Sequence, residues 1–169
     1  TKVGSGIAVS LLNQNNTETP VIATITEQVQ SSEVNEGTDV ISYVDGIITA
    51  KNAGTAKITF SQSASAKYTA FTSSTYEITV TKHQNPISLT LNGGNALSIM
   101  LKYGATATLA YSSVHSDTQF EVSRTSGSYT TLSGNTITAG NAAGTDIYEV
   151  KQPETHKYEE GYAMFSIRV

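Results

Sequence analysis

Apolar and polar residues alternate in short stretches of this chain, most clearly in its second half. Over residues 87–91 the apolar Ile and Leu positions alternate with Ser and Thr, which is the period of a strand with one buried face. Similar stretches follow, separated by Gly, Ser and Asn, and none has the sustained 3.6-residue period of a helix. We therefore predict further strands at 97–101, 105–111, 119–122, 129–132, 135–139, 145–150 and 163–169.

The first half repeats this plan with looser spacing, and many short strands with regular turn signals indicate a β-sandwich. Little or no helix is expected in either half. The predicted strands of the first half are 6–12, 21–29, 39–44, 46–50, 55–61 and 75–80.

A segment of the first half returns ninety positions later in the second. GTAKITFSQSASAKY (54–68) is matched by GTDIYEVKQPETHKY (144–158), with Gly-Thr, Gln and Lys-Tyr at identical offsets. We predict that the repeated residues mark equivalent structural positions in two copies of one unit. The residues concerned are Gly54, Thr55, Tyr68, Gly144, Thr145 and Tyr158.

Each repeated residue type suits a particular place in a sandwich. Gly54 and Gly144 are expected in a turn of positive φ before a long strand, with the following threonine hydroxyl bridging that turn. Tyr68 and Tyr158 are expected in the connection between the last two strands, where a ring can cover the open end while its hydroxyl stays hydrated.

The repeat divides the chain into two domains of roughly 85 residues, a size that can bury a core of its own. We predict two tandem immunoglobulin-like β-sandwich domains over residues 1–82 and 83–169, joined by a short polar linker that ends in Pro86. Position 146 breaks the shared apolar pattern of the two copies. We expect Asp146 at the mouth of its strand, in reach of water, because burying an unpaired carboxylate is costly.

Composition excludes several classes of function. Charged residues are only 14% of the chain, and the net charge of −4 is shared evenly by the two halves, so no basic surface for nucleic acid is expected. Thr (25) and Ser (20) make up more than a quarter of the 169 residues, which favours strands with a polar outer face. The chain has no cysteine and no apolar run of about 20 residues, which removes thiolate sites and predicts no membrane span.

Candidate chemistry is sparse. His83, His115 and His156 have no histidine partner at i+2 or i+4, so we expect solvated histidines and no metal site. No G-x-S-x-G motif is present, and the acidic residues around Tyr158 lack the alternating spacing of a calcium loop. We predict no catalytic residue, no cofactor and no enzyme activity.

The tyrosines of the last loop are the most ambiguous group. Tyr158 and Tyr162 flank two glutamates and a glycine, and tyrosines beside carboxylates can stack against a sugar ring. Apolar loop residues in a sandwich also commonly cover its core. Ligand contact and packing both remain open for these two residues.

Two segments resemble a known family. GIITAKNAGTAKITF (46–60) and residues 133–169 resemble bacterial immunoglobulin-like (Big-type) domains, with their G-x-h-T-A, A-G-T and final h-x-V pattern. The resemblance implies tandem modules on secreted or cell-surface bacterial proteins. Such modules serve as stalks, spacers or adhesive units, without catalysis or cofactor.

The expected function is therefore a non-catalytic structural or interaction module, extracellular or at the bacterial cell surface. One alternative is an adhesin or carbohydrate-binding unit that uses the 152–162 loop. Another is an accessory segment of a larger extracellular enzyme. A partner at the cell surface, a protein or a glycan, is left open and unidentified, and the free edges of an open sandwich could also pair with another chain.

Overall fold

The computed structural model describes residues 1–10 and 15–169. Within those ranges the chain forms fifteen strands and no helix, and the strands build two β-sandwiches. The predicted fold class, two tandem immunoglobulin-like β-sandwiches, is confirmed. Of the first predicted strand (6–12), residues 6–8 form a strand, whereas 11 and 12 lie outside the described residues.

The described residues separate into two compact units. The first comprises Thr1–His83 with His156–Tyr158, and the second comprises Gln84–Thr155 with Glu159–Val169. The predicted domain ranges, 1–82 and 83–169, stay a prediction as independently folding pieces.

The first unit packs one sheet of order β1-β4-β3 against another in which β5 pairs with β2 on one side and with β6 and β7 on the other. All pairs are antiparallel. The two-residue β6 was not predicted. The strands are β1 (Gly6–Ala8), β2 (Val21–Gln30), β3 (Ile41–Val44), β4 (Ile47–Ala50), β5 (Gly54–Gln62), β6 (Phe71–Thr72) and β7 (Tyr76–Val80).

The core of the first unit follows from strand alternation. Ala56, Ile58 and Phe60 point inward from β5 and are buried, while the residues between them face outward and are partly exposed. They pack with apolar residues of the opposite sheet, among them Ile41 and Ile48. The inner face of β5 thus contributes three apolar side chains to the core of the first unit.

The second unit packs a sheet of order β12-β13-β10-β8 against one of order β11-β14-β15-β9. β9 joins β15 in parallel, and the other pairs are antiparallel. The strands are β8 (Ser88–Leu91), β9 (Ser98–Met100), β10 (Thr106–Ser112), β11 (Glu121–Ser126), β12 (Thr130–Ser133), β13 (Thr136–Ala139), β14 (Thr145–Gln152) and β15 (Gly161–Arg168).

The core of the second unit centres on β14 and β15. Tyr148 and Phe165 stack with their ring centroids 5.1 Å apart, and Val150 and Ile167 are fully buried beside them. Asp146 shares this inner face and is 0% exposed. The prediction that water reaches Asp146 was wrong. Nearby residues of the same chain donate enough hydrogen bonds to stabilise the carboxylate in the interior.

The outer strand of one sheet in each unit carries a β-bulge at the same place. In β2 the register shifts between Ile25 and Glu27, and in β11 it shifts between Arg124 and Ser126. Each shift lies opposite the same step of the neighbouring strand, Ile58 to Lys57 in β5 and Tyr148 to Ile147 in β14. The two copies therefore share an irregularity as well as their strands.

Candidate functional site

The glutamine of the repeated segment secures a loop in each unit. Gln62 Nε2 donates to the carbonyls of Asn16 and Thr19 at 2.7 and 2.6 Å. Gln152 Nε2 donates to the carbonyl of Thr118 at 2.9 Å, and more weakly to a carbonyl three residues earlier at 3.4 Å. The carbonyls of this loop do not pair with a neighbouring strand, and in both copies the glutamine side chain donates hydrogen bonds to them instead. The repeated glutamine therefore stabilises the loop backbone.

Gly54 occupies the first position of β5, where its φ is +154°. A Cβ atom there would run into the backbone oxygen of Val29 and the side chain of Val40. The close approach of the neighbouring strand therefore requires glycine at this position.

Gly144 has a different reason to be glycine. It is not among the residues of positive φ, so the positive φ predicted here was wrong. A Cβ atom on Gly144 would instead enter the ring of Tyr129. Both copies thus have glycine at this position, but for two different steric reasons.

The other repeated residues of the first segment lie on or beside β5. Thr55 lies within β5, between Val29 of β2 and Thr79 of β7. Tyr68 lies in the connection after β5, 40% exposed, and lines an apolar cavity at that end of the first unit.

In the second segment, Thr145 begins β14 opposite Arg168. Tyr158 is half-buried and groups with the first unit, where its ring lies 5.5 Å from the ring of His83. Lys157 Nζ lies 5.8 Å from the centre of the Tyr158 ring.

Tyr162, the second tyrosine considered for ligand contact, belongs to the second unit. It is 52% exposed on the outer face of β15, next to the exposed Met164 on the same face. The structure thus assigns Tyr158 and Tyr162 to different units and leaves ligand contact by either a prediction.

The acidic residues near these tyrosines have separate partners. Glu160 forms an ion pair with Lys151 at 2.9 Å, and its hydrogen bond and charge raise the pKa of Lys151. Glu159 accepts a hydrogen bond from Gln84 Nε2 at 2.6 Å. These two carboxylates are therefore engaged one by one and do not form a shared acid pair.

The histidines are placed in different surroundings. His83 Nε2 lies 3.0 Å from the Val3 carbonyl oxygen, and the Asp117 backbone N–H donates to His115 Nδ1 at 3.2 Å. Among residues 1–10 and 15–169, no group of three or more His, Cys, Asp or Glu is arranged to hold a metal ion. The same residues contain no helix of the length and apolar character needed to cross a membrane.

Asp146 is the most strongly engaged ionisable residue in the second unit. Its carboxylate accepts hydrogen bonds from the backbone N–H groups of Tyr129 (3.0 Å) and Thr130 (2.8 Å), and from the Thr130 hydroxyl at 2.5 Å. Arg124 Nη1 lies 3.4 Å away. The Thr130 hydroxyl also lies 2.7 Å from that of Tyr148, which extends the network into the core.

Burial alone would raise the pKa of Asp146, because it penalises the charged form. The hydrogen bonds from Thr130 and Tyr129 and the charge of Arg124 outweigh that effect, and the pKa lies below its ordinary value. The carboxylate is thus ionised, enclosed and fully engaged by donors. Its arrangement suits it to fixing the start of β12 and leaves no access for a substrate.

Two residues that stabilise loops were missed by sequence reasoning. Asn52 is fully buried and exchanges hydrogen bonds with the backbone N–H and carbonyl of Glu36 at 2.9 and 2.7 Å. Gln28 Oε1 accepts from the backbone N–H groups of Val40 and Ile41. Asn52 follows Lys51 and comes shortly before Gly54, a setting typical of a surface turn, and nothing in the spacing marks Gln28.

The first unit also contains an open apolar cavity of about 840 Å³ between its two sheets. Its walls include residues of the core, such as Ile58 and Phe60, together with partly exposed residues of β1 and β7.

Comparison with known proteins gives limited information. No protein-family model matches the chain, and no curated protein matches it. Among solved structures, the crystal structure of Drosophila N-cadherin EC1-4 is similar over 90% of this chain, at 12% identity and a TM-score of 0.33. The chain covers 41% of that structure, and a similarity at this level carries no argument about function.

The class of protein follows from the structure itself. The described residues form an all-β chain of two immunoglobulin-like sandwich units, and the glutamine repeated in the two units hydrogen-bonds to the loop backbone of its own unit. A shared fold leaves function to be argued from particular contacts.

Proposed function

We propose that this chain is a non-catalytic structural module, a stalk or spacer, of a secreted or cell-surface bacterial protein. The resemblance of residues 46–60 and 133–169 to Big-type domains supports the bacterial and extracellular part of the proposal. The role of the repeated residues supports the structural part, since the side chain preserved at Gln62 and Gln152 secures its own loop.

The parallel pairing of β9 with β15 carries the proposal. Ser98, Ile99 and Met100 lie beside the last strand of the second unit, close to the C-terminus of the chain. When the two ends of such a unit are pulled apart, β9 and β15 are loaded in opposite directions along their length and slide past each other. Their hydrogen bonds then share the force and must break together, whereas a hairpin pulled at its open end loses them one at a time. This geometry suits a unit that holds its shape under tension.

Pulling single molecules by their two ends tests the proposal. We expect two separate unfolding events, each releasing roughly 250–300 Å of extended chain. The second unit should need the higher force, because β9 pairs with β15 at three positions, whereas the described first unit has one parallel bridge, Lys2 to Thr81, with the hydrogen bonds that flank it. Forced unfolding reports the unfolding rate and so depends directly on these contacts.

A matched pair of variants isolates the hydrogen bonds from the packing. Leu101→Pro removes the backbone N–H that donates to the Arg168 carbonyl at 2.8 Å, whereas Leu101→Ala keeps this N–H and trims the same buried side chain. Both should lower the free energy of unfolding, but the proline variant should lose clearly more unfolding force. Equal force losses in the two variants, or a second unit that yields first in the wild type, would contradict the stalk role.

An adhesive role has one observation in its favour. Tyr162 and Met164 form a small exposed apolar strip on the outer face of β15. A glycan array with wild type and Tyr162→Ser addresses the carbohydrate-binding alternative. Retention of a glycan by the wild type alone would favour it over a simple spacer.

A further inference from the structure

The connection between β8 and β9 contains an Asn-Gly pair, Asn92-Gly93, and no other asparagine of the sequence precedes a glycine. Both residues have positive φ, +50° and +75°, and both are exposed. Leu91 and Gly94, on either side of the pair, exchange backbone hydrogen bonds of 2.9 Å. These features define a tight turn of type I′, for which Asn-Gly is a preferred central pair.

The Asn92 side chain is held in place by the neighbouring strand. Its Oδ1 accepts a hydrogen bond from the Thr108 backbone N–H at 2.8 Å, and the Asn92 backbone N–H donates to the Thr108 carbonyl at 2.9 Å. The amide side chain thus extends the pairing of β8 with β10 by one step. Its position therefore depends on β8 staying beside β10.

Asn-Gly pairs can modify themselves without an enzyme. The backbone nitrogen of the glycine attacks the side-chain carbonyl carbon of the asparagine, and a succinimide ring forms. The bond from that carbon to the side-chain nitrogen breaks, and ammonia leaves with the proton of the glycine nitrogen. Water then opens the ring at either carbonyl, which gives aspartate or isoaspartate. Glycine favours ring closure because it has no side chain to hinder its own nitrogen.

The turn keeps the reacting atoms of Asn92 and Gly93 apart. In a type I′ turn, ψ of the first central residue is about +30°. At this angle the following nitrogen lies on the far side of the Cα–C bond from Cβ, whereas ring closure requires both on the same side. Because a reaction needs its atoms in near-attack geometry, the folded turn blocks ring closure.

Detachment of β8 would remove this block. β8 is a strand of four residues at the edge of its sheet, where it pairs with β10. Two buried side chains, Leu89 and Leu91, anchor it in the core of the second unit. Short edge elements of this kind open locally at a lower free energy than the whole unit unfolds.

We propose that Asn92 is a latent self-modification site, locked by its turn in the folded second unit and converted to aspartate or isoaspartate when β8 detaches from β10. Aspartate leaves the backbone unchanged, and its carboxylate still accepts the Thr108 N–H. Isoaspartate carries the main chain through the former side chain and so inserts one extra carbon atom into the turn. The hydrogen bonds between Leu91 and Gly94 then cannot re-form as before, and the detachment becomes partly irreversible.

A peptide of residues 86–98 is the reference for the unlocked state. The full chain and the peptide are incubated in the same mildly alkaline buffer, and ammonia release and isoaspartate at Asn92 are measured. We expect the folded chain to convert at least about tenfold more slowly, because only its open fraction reacts. Asn95 is the internal control, since it lies in the same connection but precedes alanine and should stay unchanged. Equal rates in chain and peptide would overturn the proposal.

A pair of core variants tests whether β8 controls the reaction. Leu89→Ala removes an anchor of β8, whereas Ile137→Ala removes a side chain of similar size from β13 in the same core. The first should speed conversion of Asn92 by at least about tenfold, and the second should leave it near the wild-type rate while the unit stays folded. Ile137→Val replaces the second variant if that one does not fold. Equal acceleration by both variants, or none by Leu89→Ala, would contradict control by β8.

The converted chain tests the consequence for the fold. Asn92→Asp is the matched control, because it adds the same charge without lengthening the backbone. Hydrogen exchange of the Leu91 and Gly94 amides should be at least about tenfold faster in the isoaspartate form than in Asn92→Asp. Equal exchange in the two forms would show that the turn closes again, and the irreversible step would be wrong.

Discussion

Different side chains perform one task at equivalent corners of the two units. Asp146 accepts hydrogen bonds from the backbone at the start of β12, and Gln28 accepts them from Val40 and Ile41 at the start of β3. The matching position to Asp146 in β5 is Ala56, so the acceptor has moved to the neighbouring strand. The contact is shared by the two copies even though the residue is not.

Asp146→Asn should weaken the second unit in a pH-dependent way. The pKa of Asp146 is lowered by folding, so its ionisation stabilises the unit above the unfolded pKa of about 4, and this contribution disappears as the pH falls through the folded value. At pH 7 the variant should lose about 1.5–3 kcal/mol of unfolding free energy, the range for a hydrogen-bonded charge. Denaturant unfolding between pH 7 and pH 2 measures the difference, which should shrink toward acid.

Asp117→Asn is the control for this experiment, since that side chain is 54% exposed in the same unit. It should change the unfolding free energy of the second unit by less than about 0.5 kcal/mol at every pH. A pH-independent loss in the Asp146 variant would show that the residue is not ionised in the folded unit.

Gly144→Ala should destabilise the second unit through the ring of Tyr129, by about 1–3 kcal/mol. Tyr129→Ala removes the obstacle, so the double variant should lose less than the sum of the two single losses. A double-mutant cycle in urea measures this coupling. Gly54→Ala provides the contrast, because its Cβ would meet backbone atoms that no side-chain truncation can remove.

At the scale of strands, alternation predicted nearly every element, because one buried face imposes a period of two on the sequence. The two departures have physical causes. β6 is a two-residue pairing of Phe71 and Thr72 with β5, too short to carry a pattern. β11 runs over Glu121–Ser126, beyond its predicted end, and only Val122 within it is even partly buried, so alternation does not mark its extent.

The loops before β2 and β11 depend on the repeated glutamine, and the sequence showed the repetition without its purpose. Gln152→Ala should cost about 1–3 kcal/mol, because it leaves buried backbone carbonyls and the Asn85 amide without a partner. Gln62→Ala should cost less, since Gln62 is partly exposed and water can replace it. Hydrogen exchange should quicken around residues 113–118 in the first variant and around 15–19 in the second. Unchanged exchange in both loops would show that other contacts hold them.

At the scale of the whole chain, the internal repeat predicted two like units but not the different exposure of their matching apolar residues. The apolar residues of β1 and β7 alternate with polar or small residues as they do in strands with a buried face. The sequence therefore predicts Ile7 and Tyr76 as core residues. Only the structure shows that these two side chains are exposed, at 37% and 52%. The candidate ligand tyrosines were predicted as neighbours for a similar reason, because closeness in sequence does not ensure a shared surface.

The bulges in β2 and β11 affect how these two strands can meet other molecules. Each is the outermost strand of its sheet, and a bulge breaks the even row of backbone groups that another molecule would need for edge-to-edge zipping. Pairing between copies through these two edges is therefore hindered at high protein concentration. Straightening either kink by deleting Thr26 or Thr125 would make concentrated solutions gel or precipitate.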